Sequence, residues 1–169
     1  DAGRDHGSPI VGALVVRNMT PTHASGSSDQ RSAAEPLVDI SGVRNVTELL
    51  AARFATAPDH IAFETRVPGA ALNEPWRQIS TREFMEEVAG AAKGLMASGV
   101  NAGDTILIMS PTQYRWTVAD FAALFAGAVV VPVYDTASDA QLQAILADAR
   151  PTAAFAGDTS LARRISRAA

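Results

Sequence analysis

The sequence predicts an α/β fold: an open, mostly parallel sheet with flanking helices. Three observations predict it. Residues 104–169 alternate short apolar runs with helical segments. The runs "TILIMS" (105–110), "AVVVP" (128–132) and "TAAFAG" (152–157) are continuous, the mark of strands covered on both faces. Capping residues precede the helical stripes. Such a succession pairs its strands in parallel through crossover helices, and those helices cover the sheet.

The elements follow in order. Residues 1–40 have no sustained period, and "TPTHASGSSDQRSAAEP" (20–36) reads as a flexible tail. Its "ASGSSDQR" cluster lacks the preceding strand, following helix and lysine of a phosphate loop. "PIVGALVV" (9–16) falls short of the ~20 apolar residues of a membrane helix. Asp1 and Asp5 flank Arg4, which spoils the basic start of a secretory signal. Residues 41–169 form the folded part. Asn45 and Glu48 have capping-box spacing, with Val46, Leu49, Leu50 and Phe54 as the stripe behind them. "IAFETR" (61–66) alternates as a strand, "VPGAALNEP" (67–75) is a loop, and "WRQIS" (76–80) is a second strand that can form a hairpin with the first. Ser80 and Glu83 box a helix with Phe84, Val88, Ala92, Leu95 and Met96 on one face. Gly99 ends it and "NAGD" (101–104) turns the chain.

After "TILIMS", Ser110 is placed to cap the next helix, with Pro111 at its first position, Gln113 at the box position, and Val118, Phe121, Leu124 and Phe125 as its stripe. "AVVVP" is the next buried strand. Ser138 and Gln141 box a helix with Leu142, Ile145 and Leu146 inside. "TAAFAG" is the third parallel strand, and Asp158 caps "TSLARRISRAA".

The 169 residues are 47% hydrophobic and 19% charged, enough for one ordinary core. A net charge of −4, from 14 basic and 18 acidic residues, argues against a nucleic-acid footprint. Lys93 is the only lysine. With no cysteine, thiol chemistry and disulfides are excluded, and a cytoplasmic location fits.

In open α/β sheets, ligands sit beyond the carboxyl ends of the strands. Two such ends are legible. At "MSPTQYRW" (109–116) a strand passes into a helix amino end, which presents free N–H groups. At "VPVYDTAS" (131–138), Pro132 cannot donate to a ladder, so it ends the strand or occupies an unpaired edge. Ser110, Tyr114, Trp116, Tyr134 and Thr136 are therefore the candidate rim of a substrate cleft. The plainer reading is a proline stop followed by ordinary turn and cap residues, with the two aromatics in the core.

"FAGAVVVPVYD" (125–135) resembles the second core motif of the AMP-forming adenylating superfamily, which contains acyl-CoA synthetases, luciferases and adenylation domains. Leu124, Ala126, Gly127, Val131, Pro132 and Asp135 match in kind; Phe125 replaces the motif's lysine, and one extra residue precedes Asp135. "ISTREF" (79–84) resembles the first core motif, with Thr81 in place of its tyrosine, and "GVNAGD" (99–104) resembles the family's Gly-Val-x-x-Gly-Asp turn. The register agrees across residues 43–169. "YRW" followed by "VPVYDTAS" is most similar to long-chain fatty-acyl-CoA synthetases of bacteria.

The resemblance implies a parent ligase that uses ATP and Mg²⁺ to make an acyl-adenylate, then transfers the acyl group to CoA. Fatty acid, ATP and CoA are the partners it implies. The family's phosphate loop, adenine-contacting aromatic, ribose-binding aspartate and catalytic lysine lie C-terminal to these motifs. This chain matches the N-terminal part of the large domain, truncated before the phosphate loop, and alone is expected to be inactive, with no catalytic, cofactor or metal residue assigned. The alternatives are a stand-alone Rossmann-like binding module, against which the missing Gly-x-Gly-x-x-Gly loop counts for dinucleotides, and a non-catalytic partner of a full-length synthetase.

The remaining polar residues have bland readings. His6, His23 and His60 lack metal-ligand spacing. Glu86 and Glu87 belong to a solvated helix face, and Asp104 orders its turn. Arg163, Arg164 and Arg167 form a solvated face, with peripheral membrane contact as the alternative.

Overall fold

The computed structural model describes residues 13–15, 42–66, 71, 73 and 75–169. The chain runs β1 (Ala13–Val15), α1 (Val46–Thr56), β2 (Ile61–Thr65), β3 (Arg77–Ser80), α2 (Thr81–Ala97), β4 (Thr105–Met109), α3 (Tyr114–Phe125), β5 (Val129–Val133), α4 (Asp139–Ala149), β6 (Ala153–Ala156) and α5 (Thr159–Ala168). The tail expected over 1–40 lies outside the described residues except for β1. That strand escapes sequence reading because three residues carry no period, and it is defined by its pairing with β6. Most of the 67–75 loop also lies outside the described residues.

One sheet has the order β1-β6-β4-β5. β4 pairs in parallel with β5 on one side and β6 on the other, as the alternation predicted. β1 lies antiparallel along the outer edge of β6. Ile106, Leu107, Ile108 and Met109 of β4 are all buried, and their side chains alternate between the two faces. Ile106 and Ile108 meet Ala92 and Leu95 of α2 and the alanines of α3. Leu107 and Met109 meet Leu142 and Leu146 of α4 and Leu161 and Ile165 of α5. Helices therefore cover both faces, which is why the β4 run has no polar gap. Each such side chain contributes about 1.5–3 kcal/mol on burial.

β2 and β3 form a separate antiparallel hairpin, with a register shift between Ile61 and Phe63. α2 leaves β3 directly through a complete capping box: Glu83 N–H donates to Ser80 Oγ at 3.2 Å, and Ser80 N–H donates to the Glu83 carboxylate at 2.8 Å. The box at Ser138 and Gln141 is also complete, and Asp158 accepts from Leu161 N–H at 2.9 Å. At α1 the box is half formed. Asn45 accepts from Glu48 N–H, but the Glu48 carboxylate turns to Arg44, whose N–H and guanidinium both bind it.

Several sequence expectations need correction. α3 begins at Tyr114, with Gln113 as an N-cap that makes no side-chain cap bond. Ser110 is not the cap. Its hydroxyl donates to the Pro111 carbonyl and accepts from Gln113 Nε2, both at 2.9 Å, so it is spent within the turn. The buried face of α3 is Ala119, Ala122 and Ala123 with Val118, because small residues let the helix approach the sheet. Phe121 and Phe125 instead face the cluster that joins α1, β3 and α2. On α1 only Leu50 is buried, and Val46 and Leu49 stay exposed, as does Met96 at the end of α2.

β5 is not a buried strand either. Among the described residues it lies at one edge of the sheet, with Val129 54% exposed. Val129 N–H donates to Asp104 O at 2.8 Å. Alternation then points the nitrogens of Val131 and Val133 toward β4, and those of Val130 and Pro132 toward the open edge. Pro132 thus costs no ladder bond, and the strand runs past it to Val133. Of the two readings of Pro132, the unpaired edge is the one observed. Gly127, which ends the α3 turn, has φ +76°, and a Cβ there would stand 3.0 Å from Ala102 Cβ.

Candidate cleft at the strand carboxyl ends

A cleft of about 680 Å³ opens at the carboxyl ends of β4 and β6. Its floor is Ile108, Phe155 and Ala156 at the strand ends, with Gly157 just beyond. The first turns of α3 supply Gln113, Tyr114, Arg115, Trp116, Val118 and Ala119, and α2 supplies Glu87, Gly90 and Ala91. The β2–β3 hairpin supplies Thr65 and Arg77, with Arg66 beside it.

The crevice between the loops leaving β4 and β6 is shut on one side. Gly157 N–H donates to Met109 O at 2.9 Å. A Cβ on Gly157 would lie 2.6 Å from Ser110 Oγ and 3.0 Å from Pro111 Cδ. The cleft therefore faces α2 and the hairpin.

Tyr114 sits where it does because its ring joins an aromatic cluster. Its centroid is 5.3 Å from Phe63 and 6.0 Å from Phe84, and Phe84 in turn meets Phe121 at 5.5 Å. The ring is core, while its hydroxyl is buried with no hydrogen-bond partner among the described residues. Burial pushes the phenol pKa well up, the Glu87 carboxylate pushes it further, and Arg77 opposes them. Glu87 acts on the hydroxyl both through its charge and as a side-chain hydrogen-bond acceptor, although that contact falls short of strict hydrogen-bond geometry. The group stays protonated.

Three guanidiniums share the cleft with one carboxylate. Arg66 donates to Ala71 O at 2.8 Å and lies 6.0 Å from the Trp76 ring centroid. Arg77 stands 3.9 Å from Glu83, a loose exposed pair worth little. Arg115 is exposed and has no partner among the described residues.

Of the predicted rim residues, the structure brings Ser110, Tyr114 and Trp116 together in this cleft. Tyr134 and Thr136 follow β5 and do not line it; Tyr134 is 84% exposed. Sequence reading missed Arg66, Arg77 and Arg115, and it placed Glu87 on a solvated face. Glu87 is exposed, but it also borders the cleft. Arg115 lies inside the "YRW" stretch already singled out, whereas Arg66 and Arg77 arrive only through hairpin packing that no local pattern encodes.

One other reading changed. Arg164 is not simply solvated. It donates to the carbonyls of Asp135 and Ala137 and to the Asp139 carboxylate, and so ties the loop after β5 to α5. His60 is exposed and bonds the Ile61 carbonyl, while His6 and His23 lie outside the described residues. Asp104 orders its turn by accepting from Asn101 N–H at 2.8 Å. Among the described residues, no group of three His, Asp or Glu side chains could hold a metal ion, and no helix is long and apolar enough to cross a membrane.

Comparison with known proteins bears on the same region. A model of the family described as "AMP-binding enzyme" matches residues 50–169. The long-chain-fatty-acid–CoA ligases FadD15 of Mycobacterium bovis and of Mycobacterium tuberculosis are each 35% identical over 109 residues, covering 64% of this chain and 17% of theirs. This chain thus matches a minor part of those relatives' length. Among solved structures, VinN superposes with a TM-score of 0.65 at 23% identity, covering 73% of this chain and 29% of VinN, a likeness of fold.

Proposed function

Because the chain belongs to the AMP-binding enzyme family, we propose that a longer protein containing it is a long-chain fatty acid–CoA ligase. That protein would join a fatty acid to ATP as an acyl-adenylate, release pyrophosphate, and pass the acyl group to the CoA thiol. The observation that carries this reading is the 35% identity to two ligases of that name over 109 residues. The geometry supports it, since a mostly apolar cleft lies where α/β sheets hold ligands. We assign Ser110, Tyr114 and Trp116 to the wall of the substrate site, and Tyr134 and Thr136 to the rim of the neighbouring strand end. The cytoplasm is the compartment we propose.

The 169 residues alone are inactive on this reading. Adenylation requires donors around the triphosphate and a cation for the charge that develops there. The sequence has no Thr-Ser-Gly-Thr-Thr-Gly-x-Pro-Lys-Gly run, and its only lysine, Lys93, is in α2 and does not line the cleft. Mg²⁺ would accompany ATP in the longer protein. The described residues offer it no cluster of ligands.

The test is pyrophosphate release with ATP, Mg²⁺ and a panel of fatty acids, run on this chain and on the longer in-frame protein. Release by the longer protein alone is expected. Fatty-acid-dependent release by the 169 residues refutes the assigned inactivity. A longer protein that activates amino acids but no fatty acid refutes the substrate while sparing the family. The second reading, an independent binding module, draws on the three buried clusters that 42–169 assemble from their own residues. A monodisperse monomer with a sharp thermal transition favours it.

A further inference from the structure

We propose that Arg164 is a positioning residue: it fixes the loop after β5 as one wall of the strand-end crevice between β4 and β5, so that Tyr134 and Thr136 meet the substrate from a set place. This inference rests on the ligase reading above and names the residue that builds the rim.

The crevice follows from the sheet. α3 covers the face of Ile106 and Ile108, whereas α4 covers the face of Leu107 and Met109. The chain therefore leaves the neighbouring strands β4 and β5 toward opposite faces, and such divergence opens a crevice at the carboxyl ends. On the β6 side the corresponding space is taken up by Gly157 against Ser110. On the β5 side the wall is the loop 134–138. Within that loop Ala137 N–H donates to Tyr134 O at 3.0 Å, and the Ser138–Gln141 box fixes where α4 begins.

Arg164 sets the loop's course. Its Nη1 donates to Asp135 O at 2.9 Å, and its Nη2 donates to Ala137 O. Its Nε and Nη2 donate to the Asp139 carboxylate at 3.0 and 2.9 Å. The Asp139 side chain is 76% exposed, so the ion pair by itself contributes little. The two carbonyls are the informative partners. A guanidinium only 23% exposed, with its fork spent on backbone from another element, determines where that backbone runs. The side chains of the same loop are treated in the opposite way. Tyr134 and Thr136 are exposed and make no side-chain hydrogen bond among the described residues. Held backbone with free side chains is the arrangement of a contact surface. Both side chains are neutral and Arg164 is already engaged, so the surface suits the acyl body of a fatty acid rather than a phosphate chain.

The test is steady-state pyrophosphate release by the longer in-frame protein, with amide exchange of residues 135–139 measured on the 169-residue chain. Arg164→Gln should raise the KM for fatty acid at least about fivefold and change kcat by less than about twofold, the pattern of lost binding shared by ground and transition states. The KM for ATP should hold. Tyr134→Ala, at an exposed position, should raise the same KM. In the double variant the two effects should not multiply, because Arg164 acts through the loop that carries Tyr134. Arg164→Lys keeps the charge but lacks the fork, so it should behave as Arg164→Gln does. Unchanged KM in Arg164→Gln, with or without faster exchange at 135–139, overturns the positioning role. Full rescue by Arg164→Lys overturns the role of the two carbonyls. If Arg164→Gln does not fold, Tyr134→Ala and Thr136→Ala decide, and unchanged KM in both overturns the contact surface. Effects that multiply in the double variant place the action of Arg164 elsewhere and overturn the proposal. A rise in the KM for ATP alone overturns the acyl assignment. A wild-type longer protein without fatty-acid-dependent release is a failure of the ligase reading, whereas unchanged KM in an active variant is a failure of this inference.

Discussion

Gly157→Ala tests whether the two loops that shut one side of the cleft really touch. The new Cβ would stand 2.6 Å from Ser110 Oγ, 2.9 Å from Ser110 Cβ and 3.0 Å from Pro111 Cδ. A hydroxyl can rotate away. The Ser110 Cβ and the proline ring are tied to the backbone and can yield only if a loop moves. Overpacking of this kind costs about 1–3 kcal/mol. At about 2–4 °C per kcal/mol for a chain of this size, the thermal midpoint should fall by roughly 2–12 °C. Ser110→Gly removes two of the three contacts. In the double variant the two losses should therefore not add, with a coupling of about 0.5–3 kcal/mol between the sites. Thermal unfolding followed by circular dichroism on the four proteins completes the cycle. An unchanged midpoint in Gly157→Ala, or strict additivity with Ser110→Gly, would refute the close approach.

Three further outcomes are expected. Arg164→Gln removes the donors that tie residues 135–139 to α5, so amide exchange there should rise at least several-fold while β4 stays protected; equal protection would show the clamp to be idle. Hydrogen bonds hold Asp158 and Glu83 below their ordinary pKa values, chiefly from Leu161 N–H and Ser80 N–H respectively. A depressed folded pKa gives stability that is present above the unfolded value, near pH 4, and lost as pH falls through the folded one. The Asp158→Asn, Glu83→Gln double variant should show a flatter fall of the midpoint below pH 4, and a parallel fall would count against the linkage. Asp120 has the opposite sign, because burial raises its pKa. Its penalty appears as pH rises, so Asp120→Asn should raise the midpoint at pH 7 and lose that gain at pH 3. A gain independent of pH would point to a cause other than charge burial.

The parallel sheet was legible because its central strand must be apolar on both faces, and Ile106–Met109 can serve no other purpose. Capping was legible because Ser80, Ser138 and Asp158 act on backbone three residues away. Burial on α3 was misread because alanine is a weak hydrophobic signal beside Phe121 and Phe125. Only the sheet's demand for close approach selects Ala122 and Ala123. The edge position of β5 was hidden for a related reason. Three successive valines describe β propensity and say nothing of how many neighbours a strand has. Half of the cleft was legible, namely the half carried by "SPTQYRW". The arginines of the hairpin were not, since their approach to Tyr114 depends on where β3 lies against α2.

The proline in β5 has a consequence for how this molecule meets its own copies. A bare strand edge is a template on which another chain can extend the sheet. Template growth requires donors at every second residue. Along the outer row of β5 those positions are Val130 and Pro132, and the second has no hydrogen to give. An incoming strand would find one donor where two are required, beside valines that would otherwise invite stacking. The same residue that leaves the β4 ladder intact therefore makes the outer edge a poor seed for fibrils.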